Sequence, residues 1–243
     1  MKAGAILKLR VSMDKQALRE RVWRELEARG VAAFPKPVRG RIPNFVGSGT
    51  AATLLRSLPT YAQARTIFVN PDAAQLAVRE LALRDGKRLI MATPRLREGF
   101  ILLDPEGIKN PRAAASIRGA FKHGKKTGIR GLKVDLIVEG SVVVDRKGGR
   151  VGKGGGFGDL EFAILRETGT ITDATPIATT VHPLQIVDEV PMAEHDVPVD
   201  FIVTPDRIIE TAHVHARPSG IIWELLPSDA CKRMPILAEM RKK

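Results

Sequence analysis

Leu18, Val22 and Leu26 recur at four-residue intervals, the spacing that lines one side of an α-helix. The pattern predicts a helix over 14–29, capped by Asp14 and stopped by Gly30. Lys15 and Arg19, also four apart, share a neighbouring face of that helix. Residues 34–49 are rich in Pro, Gly and Arg and read as irregular chain; Ser48 or Thr50 then caps a short helix to about Leu58. Beyond this point the period changes. Compact apolar runs at 66–69, 88–92, 134–138, 177–181 and 201–204 read as buried strands, with a shorter one at 141–145. The turn Asn70-Pro71-Asp72 and a helical stretch over 73–84, closed by Asp85-Gly86, separate the first two. Such strand–helix–strand alternation predicts an α/β fold with a parallel sheet and crossover helices. Residues 94–133 interrupt the pattern and carry much basic charge, so they read as a flexible excursion or a lid. A glycine-dense turn, a helix to about Glu167, an apolar run at 221–226 and a last helical piece from about Ile236 complete the chain. With no internal repeat and no low-complexity linker, the sequence reads as one α/β domain over 1–243.

Composition narrows the class. Of 243 residues, 44% are hydrophobic but only 5% aromatic, so a core of ordinary size must rest on Leu, Ile, Val and Ala. Cys231 is the single cysteine, which excludes an intrachain disulfide and suggests a reducing compartment. The apolar stretch at 3–7 is too short for a secretory or membrane segment, and a cytoplasmic location with no membrane partner is expected. The formal net charge of +12 favours anionic partners. Nucleic acid is a possible one, but no basic motif interleaved with aromatics favours it over a polyphosphate or polycarboxylate ligand.

The chemistry concentrates in Gly148-Gly149-Arg150-Val151-Gly152-Lys153-Gly154-Gly155-Gly156-Phe157-Gly158-Asp159. A loop without side chains lets backbone N–H groups close around an anion, and a helix starting just after it adds a positive dipole end. Arg150 and Lys153 supply mobile positive charge, and Asp159 could hold a divalent metal. The stretch reads as a nucleotide-phosphate cradle with room for magnesium. It lacks the Gly-Lys-Ser/Thr ending of a Walker loop and matches the dinucleotide pattern weakly. His213 and His215, two apart, would share one face of a strand and could ligate zinc, although no third ligand stands nearby. His182 reads as structural or pocket-lining, and Trp23 and Trp223 as packing residues.

Taken together, these motifs resemble the 5-formyltetrahydrofolate cyclo-ligase (methenyltetrahydrofolate synthetase) family. The loop from Gly149 to Asp159 resembles its Arg-hydrophobe-Gly-x-Gly-x-Gly-Tyr-Tyr-Asp pattern, and Lys15-x-x-x-Arg19 its first-helix Lys-x-x-x-Arg. Gln185 to Pro191, Asp196, Asp200 and Thr204 follow in the family's order. Closer still is a likeness to the divergent branch of methenyltetrahydrofolate synthetase domain-containing proteins, carried by Gly40-Arg41-Ile42-Pro43-Asn44-Phe45, Asn70-Pro71-Asp72, Thr93-Pro94-Arg95-Leu96 and Pro218-Ser219-Gly220-Ile221-Ile222-Trp223.

The resemblance implies a Rossmann-like three-layer α/β sandwich with a mainly parallel sheet. It also implies ATP-dependent ring closure of 5-formyltetrahydrofolate to 5,10-methenyltetrahydrofolate with release of ADP and phosphate. ATP and Mg²⁺ would be the cofactors and a reduced folate the small-molecule substrate. Lys15, Arg19, Arg150, Gly152, Lys153, Gly154, Gly155, Gly156, Phe157, Gly158, Asp159 and Gln185 would bind ATP, Arg150 and Lys153 in a catalytic role, with Asp159 on the metal. Asn70, Asp72, Gln75 and Phe157 would face the substrate. Such a reaction needs no protein nucleophile, and no Ser–His–Asp or Cys–His set stands out. Two departures weigh on the substrate: the family's paired tyrosines are Phe157 and Gly158 here, and its acidic substrate-contact segment is replaced by Asn70-Pro71-Asp72 with Gln75. The alternatives are a non-catalytic nucleotide- or RNA-binding paralogue with a retained phosphate cradle, and another enzyme on a similar scaffold, such as a sugar-phosphate isomerase or acyl-CoA transferase relative.

Overall fold

The computed structural model describes the backbone of residues 3–241 and the side chains of residues 15–241. Helices α1 (Ala3–Ala28), α2 (Ser48–Leu55) and α3 (Pro59–Gln63) precede strand β1 (Thr66–Val69). Then come α4 (Leu76–Arg84), β2 (Arg88–Ala92), β3 (Phe100–Leu103), α5 (Pro111–Ala114), α6 (Ile117–His123) and β4 (Lys125–Thr127). The middle of the chain holds β5 (Leu136–Glu139), β6 (Val143–Asp145), β7 (Arg150–Val151) and α7 (Phe157–Glu167). The last part holds β8 (Ile177–Thr180), β9 (Ile186–Val187), β10 (Phe201–Val203), β11 (Ile208–Glu210), α8 (Ala230–Arg233) and α9 (Pro235–Arg241).

Eight strands form one sheet in the order β11-β10-β8-β5-β1-β2-β3-β4. Its five central strands, β10 to β2, are parallel, and β11, β3 and β4 extend the edges antiparallel. Strand side chains alternate between two faces. Ile67, Val69, Leu89, Met91, Leu136 and Val138 pack into one core with α1, α2 and α4. Phe68, Ile90, Ala92 and Ile137 pack into the other with α7, α8 and α9. Burial on both faces explains why these strands read as unbroken apolar runs. The result is a three-layer α/β sandwich with a mainly parallel sheet.

From β1 the chain steps to β2 on one side, whereas β5, β8 and β10 add on the other. Strand order therefore reverses between β1 and β5, which opens a crevice at their carboxyl ends. Asn70 stitches that crevice: its N–H donates to the Val138 carbonyl (3.2 Å), and its Oδ1 accepts from Gly140 N–H (2.7 Å). A small sheet of order β7-β6-β9 stands beside this end.

Several local expectations change. Helix α1 starts at Ala3 and runs through position 14, since residues 3–13 contain no proline to stop it. Gly47, at φ +91°, precedes α2, and neither Ser48 nor Thr50 caps it. Residues 94–133 form no loose excursion: Phe100–Leu103 pairs with β2 in register Ala92↔Phe100, and β4 pairs with β3. Their strands are three or four residues long and flanked by charge, so they left little periodicity to read. His213 and His215 lie outside any strand, and His213 sits 3.0 Å from the Asp200 carboxylate. Among the described residues no group of three His, Cys, Asp or Glu could hold a metal, which removes the zinc site. His182 Nδ1 accepts from Leu184 N–H at the turn Pro183–Gln185, a structural role. Trp23 is buried, its Nε1 donating to the Arg41 carbonyl, and Trp223 packs at the edge of the second core. No helix among the described residues is long and apolar enough to cross a membrane.

Candidate active site

The glycine loop is held at both ends by buried charge. Asp145, at the end of β6, accepts hydrogen bonds from the N–H groups of Lys147, Gly149 and Val190. This fixes the β6–β7 hairpin and sends the Arg150 side chain inward. The loop then ends at Gly156, whose φ of +66° suits glycine, and α7 begins. No side chain caps α7, so the N–H groups of its first turn have no intrahelical partner and carry the positive end of the helix dipole.

A cavity of about 610 Å³ lies over this loop. Lys15 and Arg19 of α1 form one wall; Gly152, Gly154, Gly156 and Asp159 form the other. Arg19 Nε donates to the Gly152 carbonyl (2.7 Å), which fastens the helix to the loop. Burial lowers the Arg19 pKa, with Asp196 and Asp159 acting in the opposite direction. Lys15 is ion-paired with Asp196. Next to this cavity is a more apolar one of about 430 Å³, lined by Leu160, Ile221, Ile222, Leu225 and Met234 and sharing Gly156, Asp159 and His195 with it. A shallow depression of about 740 Å³ between α1 and residues 189–192 includes neither the loop nor the α7 terminus.

On the other side of the loop a cavity of about 450 Å³ fills the β1–β5 crevice. Asn70 and Asp72 follow β1, Arg95 follows β2, Glu139 ends β5, and Lys153, Phe157 and Glu161 come from the loop and α7. Lys153 Nζ donates to Asp72 Oδ1 (2.7 Å). Asn70 Nδ2 donates to Glu161 Oε2 (2.7 Å). Burial pushes the Glu139 carboxyl up to about 7, Arg150 pulling it down and Asp159 and Asp72 pushing it further up. Burial, then Glu139 and Asp72, push Glu161 well above the ordinary range. Gly152, Gly156 and Asp159 line both this cavity and the one holding Lys15 and Arg19. Two cavities therefore meet across one loop.

The expected site residues separate into groups. Lys15, Arg19, Gly152, Gly154, Gly156 and Asp159 converge on the first cavity. Lys153, Gly155, Phe157 and Gly158 join Asn70 and Asp72 on the second. Arg150 is not a mobile charge. It is 3% exposed, with Nη2 on Asp159 Oδ1, Nη1 on the Gly140 carbonyl (3.1 Å) and Nε on the Val197 carbonyl (3.2 Å). Its part is to hold the loop, the α7 terminus and β5 together. Gln185 does not reach the first cavity: it is fully buried, bonding the Ser141 and Val142 carbonyls and the His182 N–H. Gln75 is likewise buried, its Nε2 donating to Thr180 Oγ1 (3.2 Å), and it lines neither cavity. Glu139, Glu161, His195 and Leu225 were not foreseen. A lone acid ending an apolar strand, as Glu139 does, was the available signal.

The sequence profile of the 5-formyltetrahydrofolate cyclo-ligase family matches residues 11–205. A methenyltetrahydrofolate synthase domain-containing protein of Mus musculus is 40% identical over 238 residues, covering 95% of this chain and 64% of that protein. The chain thus spans a little under two thirds of that relative's length. The 5-formyltetrahydrofolate cyclo-ligase of Escherichia coli (strain K12) is 26% identical over 171 residues, covering 66% of this chain and 88% of the enzyme. The NMR structure of Aquifex aeolicus 5,10-methenyltetrahydrofolate synthetase superposes with a TM-score of 0.52 at 18% identity, covering 83% of this chain and 95% of that one, a likeness of fold. The chain belongs to the 5-formyltetrahydrofolate cyclo-ligase family.

Proposed function

We propose that this chain is an ATP-dependent cyclo-ligase that converts 5-formyltetrahydrofolate to 5,10-methenyltetrahydrofolate, releasing ADP and phosphate. The observation that carries the reading is the pair of cavities sharing Gly152, Gly156 and Asp159 as a common wall. A triphosphate over the loop would have its terminal group at that wall, facing a heterocycle in the β1–β5 crevice. Arg19, the loop backbone and the uncapped N–H groups of α7 would hold the phosphates. The apolar space beside them, between Ile222, Leu225 and Met234, suits a purine base.

The chemistry asked of the chain is alignment and charge neutralisation. The formyl oxygen attacks the γ-phosphorus and ADP departs. The neighbouring nitrogen then attacks the formyl carbon and gives up its proton to solvent or to the departing phosphate, which leaves with the former formyl oxygen. Lys153, 40% exposed along its side chain and paired with Asp72, would meet the charge developing between the two spaces. Both hydrogen bonds of Asp159 fall on Oδ1, from Arg150 and from Val197 N–H, so Oδ2 is the oxygen that would hold magnesium. A single carboxylate suits an ion that keeps waters and phosphate oxygens. When bound, that ion would neutralise the phosphate oxygens. The test is incubation of purified protein with magnesium-ATP and 5-formyltetrahydrofolate, following methenyl product by its absorbance. Well-folded protein that binds ATP yet forms no product would refute the activity.

A further inference from the structure

A cavity of about 550 Å³ opens beside the β1–β5 crevice. Arg95 and Phe157 line both spaces, and Arg97, Lys232, Arg233 and Met234 line this one. No acidic side chain lines it, whereas each of the four cavities described above has at least one. Two short segments place the cations in the same way. In Arg95-Leu96-Arg97 the leucine is fully buried in the second core, which leaves the arginines on either side exposed. In Lys232-Arg233-Met234 the methionine is buried in that core and the two cations are exposed. Thr93 holds the first turn: its Oγ1 accepts from Glu98 N–H (3.0 Å) and donates to the Gly99 carbonyl (3.0 Å). Within that turn Arg95 and Leu96 stand at φ +58° and +53°, a left-handed backbone that residues with a Cβ adopt only at a cost. Two such residues in a row at a cavity wall point to a positioned side chain rather than a passive turn. Arg233 pairs with Asp229 (3.1 Å), while Arg95, Arg97 and Lys232 have no ion pair among the described residues. Like charges repel one another, and the apolar Phe157 and Met234 focus their field on one space.

We propose that this cavity binds a diphosphate or longer oligophosphate anion, at a site separate from the glycine loop. A guanidinium offers a planar fork of N–H donors, and Arg95 and Arg97 can each span two phosphate oxygens. Lys232 and Arg233 meet the same anion from the opposite wall as point charge and fork. A cavity closed between two segments suits a small polyanion, whereas a nucleic-acid strand needs an open groove to follow its backbone. The loop is the poorer place for an oligophosphate without magnesium, because Asp159, Glu194 and Asp196 line the space above it. The inference does not rest on the cyclo-ligase reading.

The experiment titrates the full chain with pyrophosphate by calorimetry, without magnesium and in about 0.15 M salt, where diffuse surface attraction is screened. Saturable binding is expected, tighter than that of citrate, a polycarboxylate of similar size and charge. Arg97 and Lys232 line none of the other cavities, so the double variant Arg97→Gln with Lys232→Gln should weaken pyrophosphate binding roughly tenfold or more and leave magnesium-ATP affinity unchanged. Lys122→Gln with Lys125→Gln, which removes as much charge outside the cavity, should leave both affinities unchanged. No binding of pyrophosphate, citrate binding as tightly, or an equal loss in the two double variants would overturn the proposal. So would binding of a short oligouridylate, in place of pyrophosphate, that needs Arg97 and Lys232, since it would assign the surface to a nucleic-acid strand. Magnesium-ATP affinity that fell with pyrophosphate affinity would merge the two sites and overturn their separation. Pyrophosphate binding that persists in a chain forming no methenyl product keeps this inference and loses the cyclo-ligase reading.

Discussion

Replacing Glu139 by Gln should change how stability depends on pH. In the folded chain burial favours the neutral carboxyl, so Glu139 binds its proton more tightly than in the unfolded chain. A group with a raised folded-state pKa contributes stability that is complete below its unfolded value and is lost as pH rises through the folded one. Moving from the ordinary 4.5 to about 7 corresponds to about 3 kcal/mol, lost across that window. The Gln variant has no proton to lose there. Its stability relative to the native chain should therefore rise by up to about 3 kcal/mol between about pH 4.5 and pH 8. Glu161 acts in the same direction, because Glu139 is one cause of its own raised pKa and the substitution relaxes it. Any fixed cost of burying an amide is the same at both pH values and drops out of the difference. Urea unfolding of both proteins at the two pH values measures the quantity, provided the slopes agree. A stability difference that does not change with pH would show that Glu139 stays ionised in the folded chain, and would remove the electrostatic picture of the crevice.

Arg150→Met should destabilise the fold by about 3–5 kcal/mol, since it removes the buried cation that stands between Asp159 and the buried Glu139 carboxyl; denaturation midpoints check this, and an unchanged midpoint would mean that Arg150 is dispensable. Arg19→Ala should weaken magnesium-ATP binding by roughly tenfold or more, as one charged contact is lost, and should lower thermal stability by the lost bond to the Gly152 carbonyl; calorimetric titration of the folded variant reads the affinity, and unaltered affinity would displace the nucleotide from the first cavity. Gly156→Val forces a branched side chain to φ +66°, which costs about 1–3 kcal/mol and tilts the first N–H groups of α7, so ATP affinity and stability should fall together. Gln185→Ala should lower stability through the lost Ser141 and Val142 bonds without altering ATP affinity in the protein that remains folded; a selective loss of affinity would return Gln185 to the site.

Much of this architecture was legible because burial leaves a periodic trace. Thr66–Val69 and Arg88–Ala92 are buried on both faces, and they read as compact apolar runs. The same logic failed for Phe100–Leu103, a four-residue apolar run set in charged surroundings, and for Lys125–Thr127, an edge strand that pairs through backbone groups. For the site, spacing identified Lys15 and Arg19 as neighbours because four residues bring side chains to one helix face. Composition gave the glycine loop, whose function depends on the absence of side chains. It could not tell which cation stays mobile. Arg150 and Lys153 are three residues apart, yet one is buried in β7 and the other emerges from the loop; that difference arises from the hairpin held by Asp145, a tertiary contact. Gln185 shows the converse, since a motif match located a residue whose amide serves the turn before β9 and the chain entering β6.

Net charge is a poor guide to how this site would hold an anion. The chain carries +12 overall, but of the four cations gathered at the loop, Lys15 is paired with Asp196, Lys153 with Asp72 and Arg150 with Asp159. Only Arg19 has no ion pair among the described residues, its Nε going to a carbonyl. Asp159 and Asp196 also stand close to Arg19. A bare triphosphate would thus meet carboxylates at close range, whereas one with its charge reduced by magnesium would not. At the loop, attraction must then come from Arg19 and from backbone N–H groups, which have no counter-ion to displace, with Arg95 facing them from the far side of the second cavity. Those donors are fixed by the hairpin and by α7, so their contribution should be less sensitive to salt than that of exposed lysines. Magnesium-ATP affinity that collapsed between low and moderate ionic strength would instead assign the binding to exposed surface charge, and the loop would lose its role.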